Sequence, residues 1–371
     1  MAISKSQVIN ALQGVIDPHI GIDIVTQNLV DDLVIQDKFI SFTLYLPDTQ
    51  DTYTKPILAK CETVIREKVD KDAVLDIDVQ KKTGDTPKPA PQAPAEPEDL
   101  LAGVKHIIAV ASGKGGVGKS TVAANLAVSL ANAGHRVGLV DTDIYGPSIP
   151  TMFQLRGERP NINTRRKLIP LEKYGVKLLS MGFLVDQDDA VVWRGPMVSS
   201  AVKQFLTEVV WGDLDYLIMD LPPGTGDIQL TIVQTVPLAG AVIVSTPQDV
   251  ALDDARKGVA MFRKVNVPVL GIVENMAYFT PPELPGNKYY IFGRDGARNL
   301  AAAQNVPFLG EVPIEQIVRE GGDEGVPVAT RNPGETPSAQ VFSAIARRVV
   351  EEVDKKSAKG ETSEPIKIKI R

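Results

Sequence analysis

A glycine-rich segment constrains the fold of this chain more than any other feature. Residues 113–120 read GKGGVGKS, which is the G-x-x-x-x-G-K-[ST] pattern of a phosphate-binding loop. A continuous apolar run, residues 106–111, precedes the segment, and residues 120–133 follow it with the spacing of a helix. A buried strand that enters such a loop and leaves it as a helix is typical of an open α/β sheet.

The residue types in this segment suit a nucleoside triphosphate. Glycines let backbone N–H groups turn towards phosphate oxygens, and the N-terminus of the following helix adds partial positive charge. We expect Lys119 to reach the β- and γ-phosphates and Ser120 to ligate Mg²⁺. The residues predicted to bind the nucleotide here are Gly113, Lys114, Gly115, Gly116, Val117, Gly118, Lys119, Ser120 and Thr121.

The same residues allow a second interpretation, a dinucleotide-binding turn. Three glycines of the segment satisfy G-x-G-x-x-G, and Asp141 lies about 20 residues further along, as such a fold requires. That pattern needs neither Lys119 nor Ser120, whereas a phosphate loop needs both. The sequence therefore favours the phosphate loop.

Further short apolar runs alternate with helical stretches towards the C-terminus. They are residues 137–140, 217–219, 241–244 and 269–273. Apolar runs without polar alternation are typical of parallel strands that are covered on both faces. We expect a doubly wound, mainly parallel α/β sheet of the P-loop NTPase class, preceded by a small α+β domain.

Composition divides the chain into parts. Residues 83–98 are rich in proline and lack large apolar side chains, so they are expected to form an extended linker rather than a surface loop within one domain. Before this segment, helices are predicted at 6–16 and 57–69, and strands at 39–46 and 74–79. The predicted parts are an α+β domain (1–82), a linker (83–101), an ATPase domain (102–353) and a charged tail (354–371).

Charge and cysteine content exclude several classes of protein. The net charge of −6 argues against a basic nucleic-acid surface. No apolar run approaches the roughly 18 residues of a membrane-spanning helix, and the N-terminus lacks the pattern of a signal peptide. A single cysteine, Cys61, excludes an intramolecular disulfide and a cysteine-rich metal cage within one chain. We expect a cytoplasmic protein without nucleic-acid partners or membrane insertion.

Aspartates are expected at the carboxyl ends of the predicted strands, where nucleotide sites of open α/β sheets lie. Asp220 suits the Mg²⁺ shell beside Ser120. Asp141 or Asp143 suits orientation of the water that attacks the γ-phosphate. The alternative for each aspartate is a helix cap that follows a strand.

The additional lysine, Lys114, gives the loop the form K-G-G-x-G-K-[ST], which resembles the deviant Walker A class. This class includes the MinD and ParA positioning ATPases, the nitrogenase iron protein and the Mrp-type proteins. The resemblance implies that Lys114 acts catalytically across a homodimer, on the neighbour's nucleotide; the alternative is a solvated side chain. It also implies that Asn275 contacts adenine. ATP is favoured over GTP, because the stretch that begins at Asn287 does not complete N-K-x-D.

Longer stretches resemble the Mrp/ApbC group of iron–sulfur cluster carrier ATPases. They are VASGKGGVGKST (110–121), DTDIYGPSIP (141–150), WRGPM (193–197), DYLIMDLPPGTGD (215–227), STPQDVALDDARKG (245–258) and GIVENMAYF (271–279). The first domain resembles the MIP18-type domain through VIDPHIGIDIVTQNLV (15–30). The resemblance implies a Mg²⁺-dependent ATPase that carries an iron–sulfur cluster and delivers it to apoproteins or works with assembly proteins.

The cysteine pattern departs from this group. Members that bind a cluster show C-x-x-C soon after the E-N-M segment, and two such pairs across a dimer would supply four thiolates. Residues 280–290, TPPELPGNKYY, contain no cysteine, and Cys61 is expected to be a buried apolar residue of a helix. The alternative function is a MinD/ParA-like switch that acts by nucleotide-dependent partner binding without a cluster.

Overall fold

The computed structural model describes residues 3, 5–17, 23–25, 27, 29–36, 38–46, 51–81, 103–143, 146–164, 167–183, 202, 205, 206 and 208–360. The chain divides into two compact units, Met1–Ala95 and Glu96–Arg371, with the boundary inside the predicted linker. The linker itself, the WRGPM stretch and the end of the predicted tail lie outside the described residues.

The N-terminal unit is a small α+β domain. Its elements are α1 (Lys5–Leu12), β1 (Val30–Gln36), β2 (Phe39–Leu46), α2 (Asp51–Lys68) and β3 (Val74–Lys81). Strand β2 lies in the middle of the sheet, antiparallel to β1 and parallel to β3. Its alternating sequence, FISFTLYL, places Ile40, Phe42 and Leu44 in the core, and the strand has the predicted bounds.

Two predicted helix limits in this unit are wrong. Helix α1 ends at Leu12 rather than residue 16, because the chain turns at Gly14, whose N–H donates to the carbonyl of Ala11. Helix α2 begins at Asp51 rather than residue 57 and includes Pro56. Pro56 is the sixth residue of this helix and removes one of its backbone hydrogen bonds, yet the helix continues through it.

The second unit contains most of the chain. Its strands are β4 (Val104–Ser112), β5 (Val137–Asp141), β6 (Asn161–Ile162), β7 (Leu168–Ile169), β8 (Leu171–Lys173), β9 (Val176–Ser180), β10 (Leu214–Asp220), β11 (Gly240–Ser245), β12 (Val269–Glu274) and β13 (Phe308–Glu311). Its α-helices are α3 (Lys119–Asn132), α4 (Ile149–Met152), α5 (Asp227–Thr235), α6 (Asp249–Lys264), α7 (Gly296–Ala303), α8 (Gln316–Glu324) and α9 (Pro337–Ala358), and short 3₁₀ turns occur at Met181–Phe183 and Val328–Thr330.

The central sheet has eight strands in the order β13-β12-β11-β4-β10-β5-β9-β8. Every neighbouring pair is parallel except β8 and β9, which form an antiparallel edge. The predicted doubly wound, mainly parallel sheet is therefore confirmed. Because the strands are parallel, the ends of β4, β5, β10, β11 and β12 meet at one edge of the sheet.

Helices cover both faces of this sheet. Along β4, Ile108 and Val110 pack into the cluster that contains α3 and α9, whereas Ile107 and Ala109 pack into the cluster that contains α6 and α7. Two buried faces explain why the strands read as continuous apolar runs.

Helix α9 extends beyond the predicted start of the tail at residue 354. It continues to Ala358, and Val353 is fully buried against the sheet. The charged residues that suggested a tail lie on the exposed side of its last turns, as in an ordinary amphipathic helix. None of the described helices combines the length and the apolar character that a membrane crossing requires.

Candidate nucleotide-binding site

The glycine-rich loop joins the end of β4 to the start of α3. Gly116 and Gly118 have φ of 83° and 82°, in the left-handed region that side chains other than glycine rarely adopt. A Cβ atom placed on Gly115 or Gly116 would have no neighbour within 4 Å. The middle of the loop therefore faces open space, where a phosphate can approach the backbone N–H groups.

The first glycine of the loop has a different role from the one its motif indicates. A Cβ atom on Gly113 would lie 2.2 Å from the carbonyl carbon of Asp254 in α6. Gly113 is therefore required for the close packing of the loop against a helix.

Lys119 and Asp220 form a buried ion pair beneath the loop. The exposed fraction of Lys119 is 6% and that of Asp220 is 0%. The Lys119 ammonium also donates to Ser120 Oγ at 3.1 Å, so the ammonium joins the two residues predicted to bind metal. Burial raises the pKa of Asp220, whereas the charge of Lys119 opposes that rise.

The donor set beside this ion pair fits Mg²⁺. The second carboxylate oxygen of Asp220, Oδ2, is buried and has no hydrogen-bond partner among the described residues. The Ser120 hydroxyl, in the first turn of α3, accepts a hydrogen bond from the same ammonium. Carboxylate and hydroxyl oxygens are the ligands that Mg²⁺ takes, together with phosphate and water.

Asp141 is a structural residue of this edge. Its Oδ1 accepts from the backbone N–H of Asp143 at 3.1 Å. Its Oδ2 accepts from Ser180 Oγ at 3.0 Å and from the N–H of Ile149, at the start of α4, at 3.2 Å. Burial, and then the neighbouring charge of Asp220, raise the pKa of Asp141 well above the usual range. These contacts favour a structural role for Asp141, which accepts a hydrogen bond at the start of α4 without being its N-cap residue.

Asp143 is the more accessible of the two neighbouring aspartates. Its exposed fraction is 9%, against 0% for Asp141, and its Oδ1 accepts from the N–H of Gly146 at 3.2 Å. Thr142, between them, donates from its N–H and its hydroxyl to the carbonyl of Asp220 at 3.0 and 2.8 Å. These bonds fix the end of β5 to the end of β10, with Asp143 at the open side.

Replacement by alanine is expected to distinguish the roles of the two aspartates. Asp141→Ala leaves buried donors without an acceptor, so we expect it to lower the free energy of unfolding by about 2–4 kcal/mol. Asp143→Ala is expected to cost less than about 1 kcal/mol of stability but to slow ATP turnover at least about tenfold, or about 1.4 kcal/mol of barrier. Urea unfolding and steady-state phosphate release measure the two effects, and the reverse order of effects would contradict this assignment.

Asn275 secures the loop from its outer side. Its exposed fraction is 5%, and its Nδ2 donates to the carbonyl of Val117 at 2.9 Å. A Cβ atom on Gly118 would lie 2.1 Å from that nitrogen, so the amide and the loop are in close contact. The resemblance implies that Asn275 contacts adenine. In the structure, its amide nitrogen is hydrogen-bonded to the loop. Sequence reasoning missed this role, for which the only signal is an amide side chain directly after a buried strand.

Another polar residue that the sequence did not single out connects the loop to the segment after β10. The Ser112 hydroxyl donates to the carbonyl of Lys114 at 2.9 Å, and the Ser112 carbonyl accepts from the N–H of Gly224 at 3.0 Å. The side chain of Lys114 is half-buried, and its ammonium forms no ion pair with any residue that the structure describes. Thr121, predicted from the motif alone, lies half-buried in the first turn of α3.

A substitution at Asn275 distinguishes a loop anchor from an adenine contact. If the amide positions the loop, Asn275→Ala should weaken binding of ATP and GTP by the same factor, because both share the phosphates. An adenine contact would instead weaken ATP binding selectively. Calorimetric titration of both nucleotides measures the two factors, and a selective loss for ATP would contradict the anchoring role.

The sequence matches two family models. Residues 103–350 match a model described as a NUBPL iron-transfer P-loop NTPase. Residues 5–79 match a model described as an iron-sulfur cluster assembly protein. The two matched segments lie in the two compact units, one in each.

Similar proteins and structures extend these matches. A protein of Synechocystis sp. named iron-sulfur cluster carrier protein is 46% identical over 354 residues, which cover 95% of this chain and 98% of that protein. The structure of a nucleotide-binding protein from Archaeoglobus fulgidus in complex with ADP is 41% identical, with a TM-score of 0.55, and covers 61% of this chain and 89% of its own. The cell division ATPase MinD of Pyrococcus furiosus, 23% identical with a TM-score of 0.50, is similar in fold over 66% of this chain and 98% of its own.

Proposed function

The chain belongs to the family of NUBPL iron-transfer P-loop NTPases, and we propose from that premise that it is a Mg²⁺-dependent ATPase in iron–sulfur cluster transfer to apoproteins. The observation that carries the ATPase proposal is the buried Lys119–Asp220 pair beneath an open glycine loop. The transfer role follows from the relative named as a cluster carrier. A chain whose one cysteine is a buried thiol suits the reducing cytoplasm that we propose as its location.

Binding of a triphosphate changes the charge balance beneath the loop. The phosphates offer the Lys119 ammonium a second anionic partner, next to the N–H groups at the start of α3. As Lys119 turns towards them, the Asp220 carboxylate loses its compensating charge. Ser120 and Asp220 would hold Mg²⁺, which would supply positive charge to offset that of the phosphates.

The segment that follows β10 is placed to respond to the nucleotide. Gly224 is hydrogen-bonded to Ser112, and Ser112 is bonded in turn to the carbonyl of Lys114. A change at the loop therefore reaches the segment through one serine. Asp143, at the open side of β5, is the group that we propose to orient the attacking water.

Removal of the loop lysine tests the ATPase proposal. We expect Lys119→Ala to abolish phosphate release and to weaken ATP binding strongly, because no other lysine lies beneath the loop among the described residues. The matched control is Lys105→Ala, which removes an exposed lysine bound to Asp215 near the other end of β4. Turnover in Lys119→Ala that equals turnover in Lys105→Ala would contradict the proposal.

A second variant keeps that test independent of folding. Lys119→Ala leaves Asp220 as a buried charge without a partner, which is destabilising. The double variant Lys119→Ala/Asp220→Asn removes both charges of the pair. It is expected to recover thermal stability and to remain without hydrolysis.

A homodimer is the second part of the proposal, and Lys114 is its test. The half-buried Lys114 side chain lies at the loop without an ionic partner among the described residues, so its ammonium can serve the γ-phosphate of a second copy. ATP would then favour the closed dimer, because ADP lacks that phosphate. Lys114→Ala is expected to retain ATP binding but to lose hydrolysis and the ATP-dependent dimer.

Light scattering with ADP and with a non-hydrolysable ATP analogue measures this effect. The parent protein should gain mass with the analogue and not with ADP, whereas Lys114→Ala should stay unchanged with both. If the variant forms the dimer and hydrolyses ATP like the parent, Lys114 has no role at the partner's nucleotide and the proposal is contradicted.

A further inference from the structure

A role in iron–sulfur cluster transfer raises the question of which protein ligates the cluster. Iron–sulfur clusters are held by cysteine thiolates, ordinarily four of them. This chain contains one cysteine, Cys61, in the N-terminal unit. Two copies of the chain would therefore offer two thiols, fewer than a cluster ordinarily takes.

Cys61 is also inaccessible. Its exposed fraction is 0%, and it belongs to the core of the N-terminal unit with Ile57 and Ile65 of the same helix. Burial raises the pKa of the Cys61 thiol to about 12. Because the thiolate is the form that binds metal, Cys61 is a core residue rather than a ligand.

The hairpin that follows β12 in the ATPase unit is closed without a ligand. Phe279 and Tyr289 exchange both backbone hydrogen bonds at 2.8 Å. Within the hairpin, the N–H of Leu284 donates to the carbonyl of Pro281 at 3.1 Å, which closes a turn. The Lys288 ammonium lies 3.8 Å from the centre of the Tyr278 ring. Backbone bonds and a cation–π contact thus provide the cross-links that a metal would otherwise provide.

Other metal ligands do not replace the cysteines in the part of the chain that the structure describes. No group of three or more histidine, cysteine, aspartate or glutamate side chains there is arranged to hold a metal ion. The Mg²⁺ position beneath the loop offers Ser120 and one oxygen of Asp220, which are hard oxygen ligands. Iron–sulfur clusters select soft thiolates instead.

We infer that this chain takes part in cluster transfer without ligating the cluster, whose thiolates all belong to another protein on which the nucleotide cycle acts. The partner is thus a protein that supplies a complete set of cysteine ligands. This inference rests on the proposed function, and it differs from a carrier that holds its own cargo. The inference implies that this chain holds no cluster at any stage of ATP turnover.

Anaerobic reconstitution of the full-length protein tests the inference. The protein is incubated with ferrous iron, sulfide and a thiol reductant, desalted, and assayed for bound iron, bound sulfide and charge-transfer absorbance. We expect the parent chain to emerge without them. The matched control is Pro281→Cys/Leu284→Cys, which places two thiols with C-x-x-C spacing at the ends of an exposed closed turn. All samples contain a non-hydrolysable ATP analogue, so that the proposed dimer of this variant offers two such pairs, and we expect the variant to retain iron and sulfide.

Cluster retained by the parent chain would overturn the inference, whether or not the retention survives Cys61→Ala. Thiol titration adds a second reading: Cys61 should react with an aromatic disulfide reagent only after denaturation, and rapid reaction in the native protein would contradict its burial. ATP turnover is measured in the same preparations before the analogue is added. Absence of turnover would count against the proposed ATPase, whereas a cluster on a protein that turns over normally would count against this inference alone.

Discussion

The buried Lys119–Asp220 ion pair is the interaction on which the site depends. Two carboxylates, Asp220 and Asp141, are fully buried at this edge, and a single ammonium lies beside them. Asp141 is accommodated because its pKa is raised, so that it can hold a proton. Lys119 is the main group that opposes the rise in the pKa of Asp220. Under the proposed function, a triphosphate that attracts Lys119 would leave the Asp220 carboxylate in need of a cation, so that nucleotide and Mg²⁺ would bind together.

Hydrogen bonds between neighbouring strand ends hold the rest of the site to this pair. Thr142 fixes β5 to β10, Asn275 fixes the end of β12 to the loop, and Ser112 connects the loop to Gly224. Each bond joins segments that are far apart in sequence but adjacent at the carboxyl edge of a parallel sheet. The Ser112–Gly224 bond holds the segment between β10 and α5, so a change of nucleotide can displace that segment without disturbing the sheet.

The parts of the site that could be predicted are those that follow from local sequence patterns. The loop, its lysine and the position of the aspartates follow from motif spacing, and β2 follows from its alternation. Features that depend on close approach could not be predicted. Gly113 is a glycine because α6 passes beside it, and Asp141 differs from Asp143 because Ser180 and the start of α4 surround it. The predicted tail begins too early, because charged residues can continue a helix when its opposite face is buried, and composition does not show that burial.

The same contrast distinguishes the nucleotide site of this chain from the hairpin that follows β12. Lys119, Asp220 and Asn275 bond to other parts of the site, so the loss of one leaves a buried charge or a buried carbonyl acceptor without a partner. A cysteine pair in an exposed turn would carry no such constraint, because the hairpin at Phe279 and Tyr289 is already closed by backbone bonds and by the contact of Lys288 with the Tyr278 ring. Similarity to carrier proteins therefore identifies the nucleotide site of this chain, but it does not identify the residues that bind the cluster.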